Sequence, residues 1–576
     1  MKQFVLDIEA NGLDPDTVWC IVVRQLGHDD SLTWSGDRLP EFITWLQLQD
    51  ECELIGHNLI GYDIPVLEKL LAVDFSKCKI TDTLVMSRLA NPSREGGHSL
   101  DNWGSILNCP KGDHNVWDVF SYDMLEYCIQ DVRVNALVYQ RLLSELRGFE
   151  SESIDLEHQV QSIVTQQIKQ GWLLDQEKAY HLLATLKEKK NDLEDEVHQV
   201  FKPLPTFVKE ITPKFKKDGT QSVVGLKFLG DNWEEAVAPF SRIDFPVFNL
   251  GSRQQIGRHL QYYGWKPKQF TETGQAIVDE AVLGTVKGIP QAALIAEYLM
   301  IQKRVAQVQS WLEAVKEDGR VHGYVNPNGA VTGRMTHSSP NMGQVPAVYS
   351  PYGKQCRDVW TVPEGYKLVG MDASGLELRM LAHYMNDEGY TNEILTGDIH
   401  TANQLASGLE TRDQAKTFIY AFLYGAGDSK IGSIVGGSAK DGKRLKEKFL
   451  GNTPSLGRLR ERVAVASGRG YVLGLDGRRV YVRSQHAALN TLLQSAGAIV
   501  MKKALCLLDE YATKWNIDYN FIGNIHDEIQ TEVREEKAKV FGGLATSCVE
   551  AAGLHYKLNC PLAGEFKVGD SWADTH

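Results

Sequence analysis

The sequence has no CxxC pair, and its nine cysteines are scattered through 576 residues without metal-ligand spacing. That argues against a structural zinc site or a disulfide framework and reads as reduced thiols in a cytoplasm-like compartment. There is no internal repeat and no low-complexity tract. No apolar stretch reads as long enough to span a bilayer, and the opening KQFVLDIEANG lacks the basic, apolar, small-residue order of a signal peptide, so no membrane partner is expected. Positive charge is in deficit: 61 Lys and Arg against 74 Asp and Glu leave a net charge of −13. Taken alone this speaks against a nucleic-acid partner. A magnesium enzyme, however, needs clustered carboxylates, and DNA needs only one basic groove. The runs KEKK at 187–190 and KFKK at 214–217 serve equally as groove lining or as solvated faces.

At this length one core cannot serve the whole chain. Short apolar runs at Phe4-Val5-Leu6, Cys20-Ile21-Val22-Val23 and Leu54-Ile55-Gly56 predict strands, and 62–72 and 122–146 have helical spacing, which together predict a compact α/β domain over 1–148. Residues 152–200 read as two helices broken near Gly171. Prolines 203, 205, 213, 239 and 246 mark 201–248 as an irregular insertion. Helical periodicity resumes from 252, strands and a helix mix over 320–384, and 386–490 is largely helical. The end, 491–576, predicts a long helix, a hairpin around Gly523 to Val533, and a closing helix and strand.

Carboxylates gather in two places. Asp7 and Glu9 flank Ile8, so in a strand both point to one side. Asp63 enters a helix in HNLIGYDIPVL, and Tyr127 and Asp131 lie four apart in YCIQD, on one helical face. Each pattern alone is compatible with a charged surface; together, oxygen-only ligands suit Mg2+ or Mn2+ rather than zinc. Near the C-terminus, Asp372 ends an apolar run ahead of a helix in MDASGLELRMLAHY, and His526, Asp527 and Glu528 interrupt two strands in FIGNIHDEIQTEV. Between them, Arg412, Lys416, Tyr420 and Tyr424 recur every four residues, two cations and two aromatics on one helix face, suited to a triphosphate and a base. Phe418, Phe422 and Leu423 on the same helix read as core.

The first motif set resembles the proofreading exonucleases of the DEDD class with a tyrosine. VNPNGAVTGR, SPYGKQCR, DASGLELR, GDIHT, AKTFIY, FLYGAGD, GLDGR, HAALNTLLQSAGA and IHDEIQ resemble family A DNA polymerases, most closely the replicative enzymes of short-tailed bacteriophages, over nearly the whole chain. The resemblance implies a multidomain α/β and α+β fold: a ribonuclease-H-like 3′→5′ exonuclease (1–148), a thumb (149–320) holding the 201–248 insertion, a palm in two parts (321–385 and 491–576) and fingers (386–490). It implies template-directed primer extension with dNTPs plus proofreading, with two Mg2+ per active site, or Mn2+. Asp7, Glu9 and Asp131 are then metal ligands, Asp63 a second-site or outer ligand, and Tyr127 the residue that orients the attacking water. Asp372, Asp527 and the Ala373 carbonyl are the polymerase metal ligands, with Glu528 nearby. Arg412, Lys416 and His400 are assigned to the triphosphate and Tyr420 to the sugar, where tyrosine implies tolerance of dideoxynucleotides. Glu377 is assigned to ribose exclusion and Tyr424 to the template position. Arg334 and Gln494 are assigned to minor-groove acceptors shared by all correct pairs, and His526 to the primer terminus.

The chain also departs from the phage pattern. The thumb insertion by which relatives bind host thioredoxin is shorter here and of different composition, which argues against thioredoxin binding. The exonuclease domain is trimmed between Gly97 and Trp117. Asp7 already belongs to the exonuclease, so no 5′-nuclease domain is expected ahead of it, which favours genome replication over gap repair. The resemblance leaves room for a helicase–primase or a single-strand-binding protein beside the primer–template, in the cytoplasm of an infected bacterium. Intact Asp372, Lys416 and Asp527 speak against a repair nuclease with a degraded polymerase half, and retention of both carboxylate sets speaks against a non-catalytic scaffold.

Overall fold

The computed structural model describes residues 1–49 and 51–576, which divide into two compact units: Met1–Leu174 with Ala314–His576, and Asp175–Glu313.

The first unit begins with β1 (Lys2–Ala10), β2 (Val18–Gln25), β3 (Ser31–Ser35), β4 (Cys52–Gly56) and β5 (Cys78–Asp82), a mixed sheet in the order β3-β2-β1-β4-β5. Six helices accompany it: α1 (Leu39–Gln47), α2 (Ile64–Leu71), α3 (Thr83–Ala90), α4 (Leu100–Ile106), α5 (Tyr122–Glu145) and α6 (Ser151–Gln170). β1 runs antiparallel to β2 and parallel to β4, so it is central and apolar on both faces. Phe4, Leu6 and Ile8 face a core with Trp34 and Phe42. Val5, on the opposite face, joins Trp103, Cys128 and Val132 of α4 and α5. The odd-numbered positions of β1 therefore look toward α5, and Asp7 and Glu9 are among them.

A second sheet is built from Tyr519–Ile525, Glu528–Arg534, Tyr366–Ala373 and Gly564–Gly569, in that order and antiparallel throughout. Helices Ala488–Lys514 and Ala538–His555 share its core, which continues into the helical stretch from Glu388 to Ser467 through Phe418, Phe422, Phe449 and Leu456. One sequence expectation is overturned here. Segment Gln485–Lys514 is long and apolar enough to cross a membrane, yet most of it is buried inside the protein. It is apolar on nearly every side because it is enclosed by the sheet and neighbouring helices.

Beneath this core lies a buried ionic network. Glu157 of α6 accepts from Arg478 (2.5 Å) and Lys502 (2.7 Å), and Arg478 also pairs with Asp476 (2.6 Å). Two acids meet two bases, so no charge is left uncompensated. The GLDGR motif is thus an internal brace that ties α6 to the long 488–514 helix.

The second unit holds helices Gln176–Val200, Arg253–Tyr262 and Glu280–Leu283 and most of Ala292–Ala314. Helix α6 belongs to the first unit. The proline-rich stretch is more ordered than expected: Thr206–Ile211 and Phe240–Asp244 pair as an antiparallel ribbon. Phe248 stacks on His259 with ring centroids 3.8 Å apart, with Phe201 and Tyr263 completing the cluster. In the KEKK run, Lys189 pairs with Glu297 (3.5 Å) and Lys190 lies over Tyr298, which makes this part of the run a helix–helix contact.

Candidate active sites

The first cluster forms where β1 ends. A register shift between Glu9 and Ala10 marks an irregularity there, and such bulges re-aim strand ends. The Ile8 backbone N–H donates to Asp63 Oδ1 (3.2 Å), locking Asp63 against β1. Asp63 closes a π turn, Leu59–Asp63, that starts from Asn58 in the left-handed region (φ 63°). That turn is held by Asp82, which accepts from the backbone N–H groups of Asn58 and Ile60 (both 3.0 Å) and also caps α3. Asp82 escapes sequence reading because it looks like an ordinary helix cap.

From α5, Cys128 donates to Asp7 Oδ2 (3.6 Å), and its Sγ lies within 4.8 Å of carboxylate oxygens of both Asp7 and Glu9. Sequence reading missed this thiol. Burial and the nearby carboxylates push it well above the usual thiol range, so it remains a protonated donor and the available donors are oxygens. Asp131 Oδ2 accepts from Lys111 (2.7 Å), whereas its Oδ1 is buried without a partner. The Lys111 ammonium stands 4.7 Å from the Tyr127 ring centroid. His114 and Trp117 pack their rings on the same tyrosine, and Trp19 Nε1 donates to Trp117 O (2.8 Å).

All four predicted acids and Tyr127 therefore share one neighbourhood. Burial, reinforced by Asp131, pushes Asp7 up to about 8. Burial, Asp7 and Asp131 push Glu9 up to about 10. Burial and then Asp7 raise Asp63 well above the carboxylate range, and burial raises Asp131 against the pull of Lys111. A buried carboxylate group of this density calls for cations, and the orphaned Asp131 Oδ1 and the oxygen donors fit a hard divalent ion.

The second cluster lies on the antiparallel sheet. Asp372 sits across from Glu528 on one neighbour and Glu565 on the other. The Ala373 N–H donates to the Asp527 carbonyl (3.0 Å), which sets Asp527 beside Asp372 although 154 residues lie between them in the chain. The hairpin tip is tight, and His526 takes φ 56° to make it. Gly375, at φ 58°, turns the chain from strand into helix Leu376–Met385.

An open cleft is lined by Asp372, Ala373, Asp527, His526, Arg334, Glu377, Tyr420 and Tyr424, all of them predicted site residues. Glu377 is clamped: Tyr424 donates its hydroxyl to both carboxylate oxygens (2.9 and 2.8 Å) and Arg334 pairs at 3.3 Å. Burial raises Asp372 to about 6, with Asp527 and Glu528 adding repulsion. Burial also raises Asp527, with Arg334 opposing.

Glu528 behaves differently. It accepts from Trp572 Nε1 (2.6 Å) and Gln530, and faces His576 (3.2 Å) and Arg357 (3.8 Å). Burial alone would raise it, yet these partners bring it below the ordinary glutamate range. Its carboxylate is thus already occupied by protein donors. Trp572 and His576, from the C-terminal tail, are contributors that no motif pointed to, and Arg357 ends the SPYGKQCR motif without having been assigned a role; all three meet Glu528 only in the folded protein.

Helix Arg412–Leu423 keeps Arg412 and Lys416 exposed and Tyr420 half-buried, with Tyr424 just past its end. Its opposite face buries Phe418, Phe422 and Leu423 as expected. Arg412 is engaged by Asp398 (2.6 Å), which also caps the helix carrying His400. His400 lies with its ring 6.3 Å from Tyr420 and its Nδ1 buried without a partner. Arg412, Lys416, His400 and Gln494 do not line the Asp372 cleft itself. The first three flank it along one helix pair, and Gln494 sits half-buried on the 488–514 helix.

Comparison with known proteins agrees with this arrangement. The family model for DNA polymerase family A matches residues 229–574. The chain is 37% identical to the DNA-directed DNA polymerase of Escherichia phage T7, with all of each chain covered. It is also 37% identical to that of Enterobacteria phage T3, over 91% of this chain and 92% of the other. Among solved structures, the POL domain of Pol1 from M. smegmatis, in complex with DNA primer-template and dNTP, superposes with a TM-score of 0.79 over 99% of this chain and 96% of that one, at 20% identity, a likeness of fold. With the family model matched over more than half of its length and a phage relative aligned from end to end, this chain belongs to DNA polymerase family A.

Proposed function

We propose that the chain extends a primer 3′-hydroxyl with dNTPs against a DNA template at the Asp372–Asp527 cleft and trims mispaired 3′ ends at the Asp7–Glu9–Asp63–Asp131 cluster. The observation that carries the reading is the backbone link from Ala373 N–H to the Asp527 carbonyl, which brings two distant acids together in an open cleft. Asp372, Asp527 and the Ala373 carbonyl would hold divalent cations there, as the four N-terminal acids would in theirs; when bound, such ions activate an attacking oxygen and stabilise the departing one.

The protein's own groups account for the rest. Glu377, fixed by Tyr424 and Arg334, walls off the space beside Tyr420 and would exclude a ribose 2′-hydroxyl. Arg412, Lys416 and His400 would meet the triphosphate, with Arg412 leaving Asp398 to do so. Arg334 and Gln494 would read minor-groove acceptors, and His526 would border the primer end. In the N-terminal cluster Tyr127 would orient the attacking water. Leu13 and Tyr62 line a largely apolar cleft beside Asp63, suited to unstacked bases at a frayed primer end. In these terms 1–148 is the exonuclease, the four-stranded sheet the palm, the helices between 386 and 490 the fingers, and the second unit the main part of the thumb. The setting we propose is phage genome replication in the bacterial cytoplasm, with Mg2+ as the working ion.

Primer extension on a long single-stranded template tests this directly. With Mg2+ and dNTPs the chain lengthens the primer, and without dNTPs it shortens it. Asp527→Ala abolishes lengthening only, and Asp7→Ala abolishes shortening only. Degradation without any extension would replace this reading with that of a nuclease. Running the assay with and without thioredoxin tests whether the 206–244 ribbon region serves a clamp; unchanged product length is expected.

A further inference from the structure

The N-terminal cluster contains one cation of its own, and neither motif spacing nor family likeness assigned it. Lys111 comes from the irregular stretch between α4 and α5. Its backbone is held on both sides: Gln130 Nε2 donates to Pro110 O (2.7 Å), and Trp19 ties down Trp117. The ammonium is carried to Asp131 Oδ2 (2.7 Å) and over the Tyr127 ring, with the lysine side chain only 23% exposed. It takes one carboxylate oxygen of Asp131 and leaves Oδ1 buried and unpartnered.

We propose that Lys111 is a positioning residue of this centre: it clamps Asp131 through Oδ2, so that Oδ1 is presented to a metal ion, and holds Tyr127 at the same time. The division of one carboxylate between an ammonium and an ion is the arrangement expected of a ligand whose orientation matters, because a carboxylate free to rotate loses the geometry a divalent ion requires. The catalytic meaning of this role rests on the nuclease reading above; its effect on metal affinity does not.

Two measurements on the full-length chain separate these. Mn2+ binding, followed by the electron paramagnetic resonance of the free ion, is read in an Asp527→Ala background that weakens the polymerase site. Lys111→Met is expected to weaken Mn2+ affinity about 10–100-fold, the cost typical of losing a partner of a metal ligand, and Lys111→Arg to restore most of it. Shortening of a single-stranded oligonucleotide should then lose kcat with KM little changed, while dNTP incorporation by Lys111→Met in the otherwise unsubstituted chain stays at its original rate. Unchanged or tighter Mn2+ binding in Lys111→Met overturns the proposal. If the unsubstituted chain shortens nothing while Lys111→Met still weakens Mn2+ binding, the nuclease reading fails and the clamp on Asp131 stands.

Discussion

The two carboxylate centres differ in how they deal with their charge. In the N-terminal centre four acids are held together with one lysine and one protonated thiol, and Asp7 and Glu9 are driven up to about 8 and about 10. In the C-terminal centre Asp372 faces the cleft at about 6, Asp527 is half-buried, and Glu528 is satisfied by tryptophan, histidine and arginine. Burial raises all four acids of the first centre, two of them to about 8 and about 10, whereas in the second burial raises Asp372 only to about 6 and the protein's own donors hold Glu528 below the ordinary glutamate range. Similar residue types thus give one site whose acids are crowded and buried and one that is an open cleft, as a polymerase site must be to admit a new dNTP each cycle.

The sharpest way to break this comparison is the reciprocal pair. Asp527→Ala should lower dNTP incorporation by at least ~10³-fold and leave 3′ shortening intact, and Asp7→Ala should do the reverse, since each removes a preorganised electrostatic element. Single-turnover assays of each activity in both variants check it; a loss shared by both activities would mean that the centres are coupled.

Next in size is Glu528. If its carboxylate serves its buried partners Trp572, His576 and Arg357 more than the cleft, Glu528→Gln should lower polymerisation roughly 10–100-fold, the scale for a supporting partner, and should also lower Tm, because Arg357 is left buried with a weakened counter-charge. A Tm equal to that of the unsubstituted chain would put Glu528 among the residues that act only in the cleft.

A third test uses pH. Each proton that a metal ion must displace steepens the dependence of metal affinity on pH by about tenfold per unit. Between pH 8 and pH 6 the Mg2+ concentration that half-saturates 3′ shortening should rise far more steeply than that for dNTP incorporation. Parallel curves for the two activities would remove the contrast.

The smallest effect concerns stability. A carboxyl whose folded-state value is raised binds its proton more tightly folded than unfolded. Such a group favours folding below the ordinary carboxylate range and disfavours it as pH climbs toward its folded value. For Asp7 that window runs from the ordinary aspartate value of 3.8 to about 8. Asp7→Asn should therefore raise Tm by a few degrees in EDTA at neutral pH, and lose that advantage in excess Mg2+. Calorimetry in the two buffers decides it; a lower Tm in EDTA would show that the charge is already compensated.

Much of this was legible in the chain itself. Alternation in KQFVLDIEA placed Asp7 and Glu9 on one strand face, the four-residue recurrence from Arg412 to Tyr424 placed cations and aromatics on one helix side, and His526-Asp527 marked a hairpin tip. These are local periodicities, set by backbone geometry within a few residues. Apolar content was under-read: the segment Gln485–Lys514, not singled out from sequence, is long and apolar enough to cross a membrane, and most of it is buried inside the protein. The proline-rich 201–248 stretch contains a ribbon that no simple alternation announced.

What the sequence determined by itself was the inventory of chemistry: two carboxylate sets, the strands and helices that carry them, and the family to which their motifs point. Only the tertiary structure decided the partners. Lys111 on Asp131, Cys128 beside Asp7, Asp82 under the turn of Asp63, and His576, Trp572 and Arg357 around Glu528 meet mostly across tens to hundreds of residues. Such contacts have no period in the chain. They exist because a close-packed interior must give every buried charge a partner, and that partner is whichever side chain the fold brings within reach.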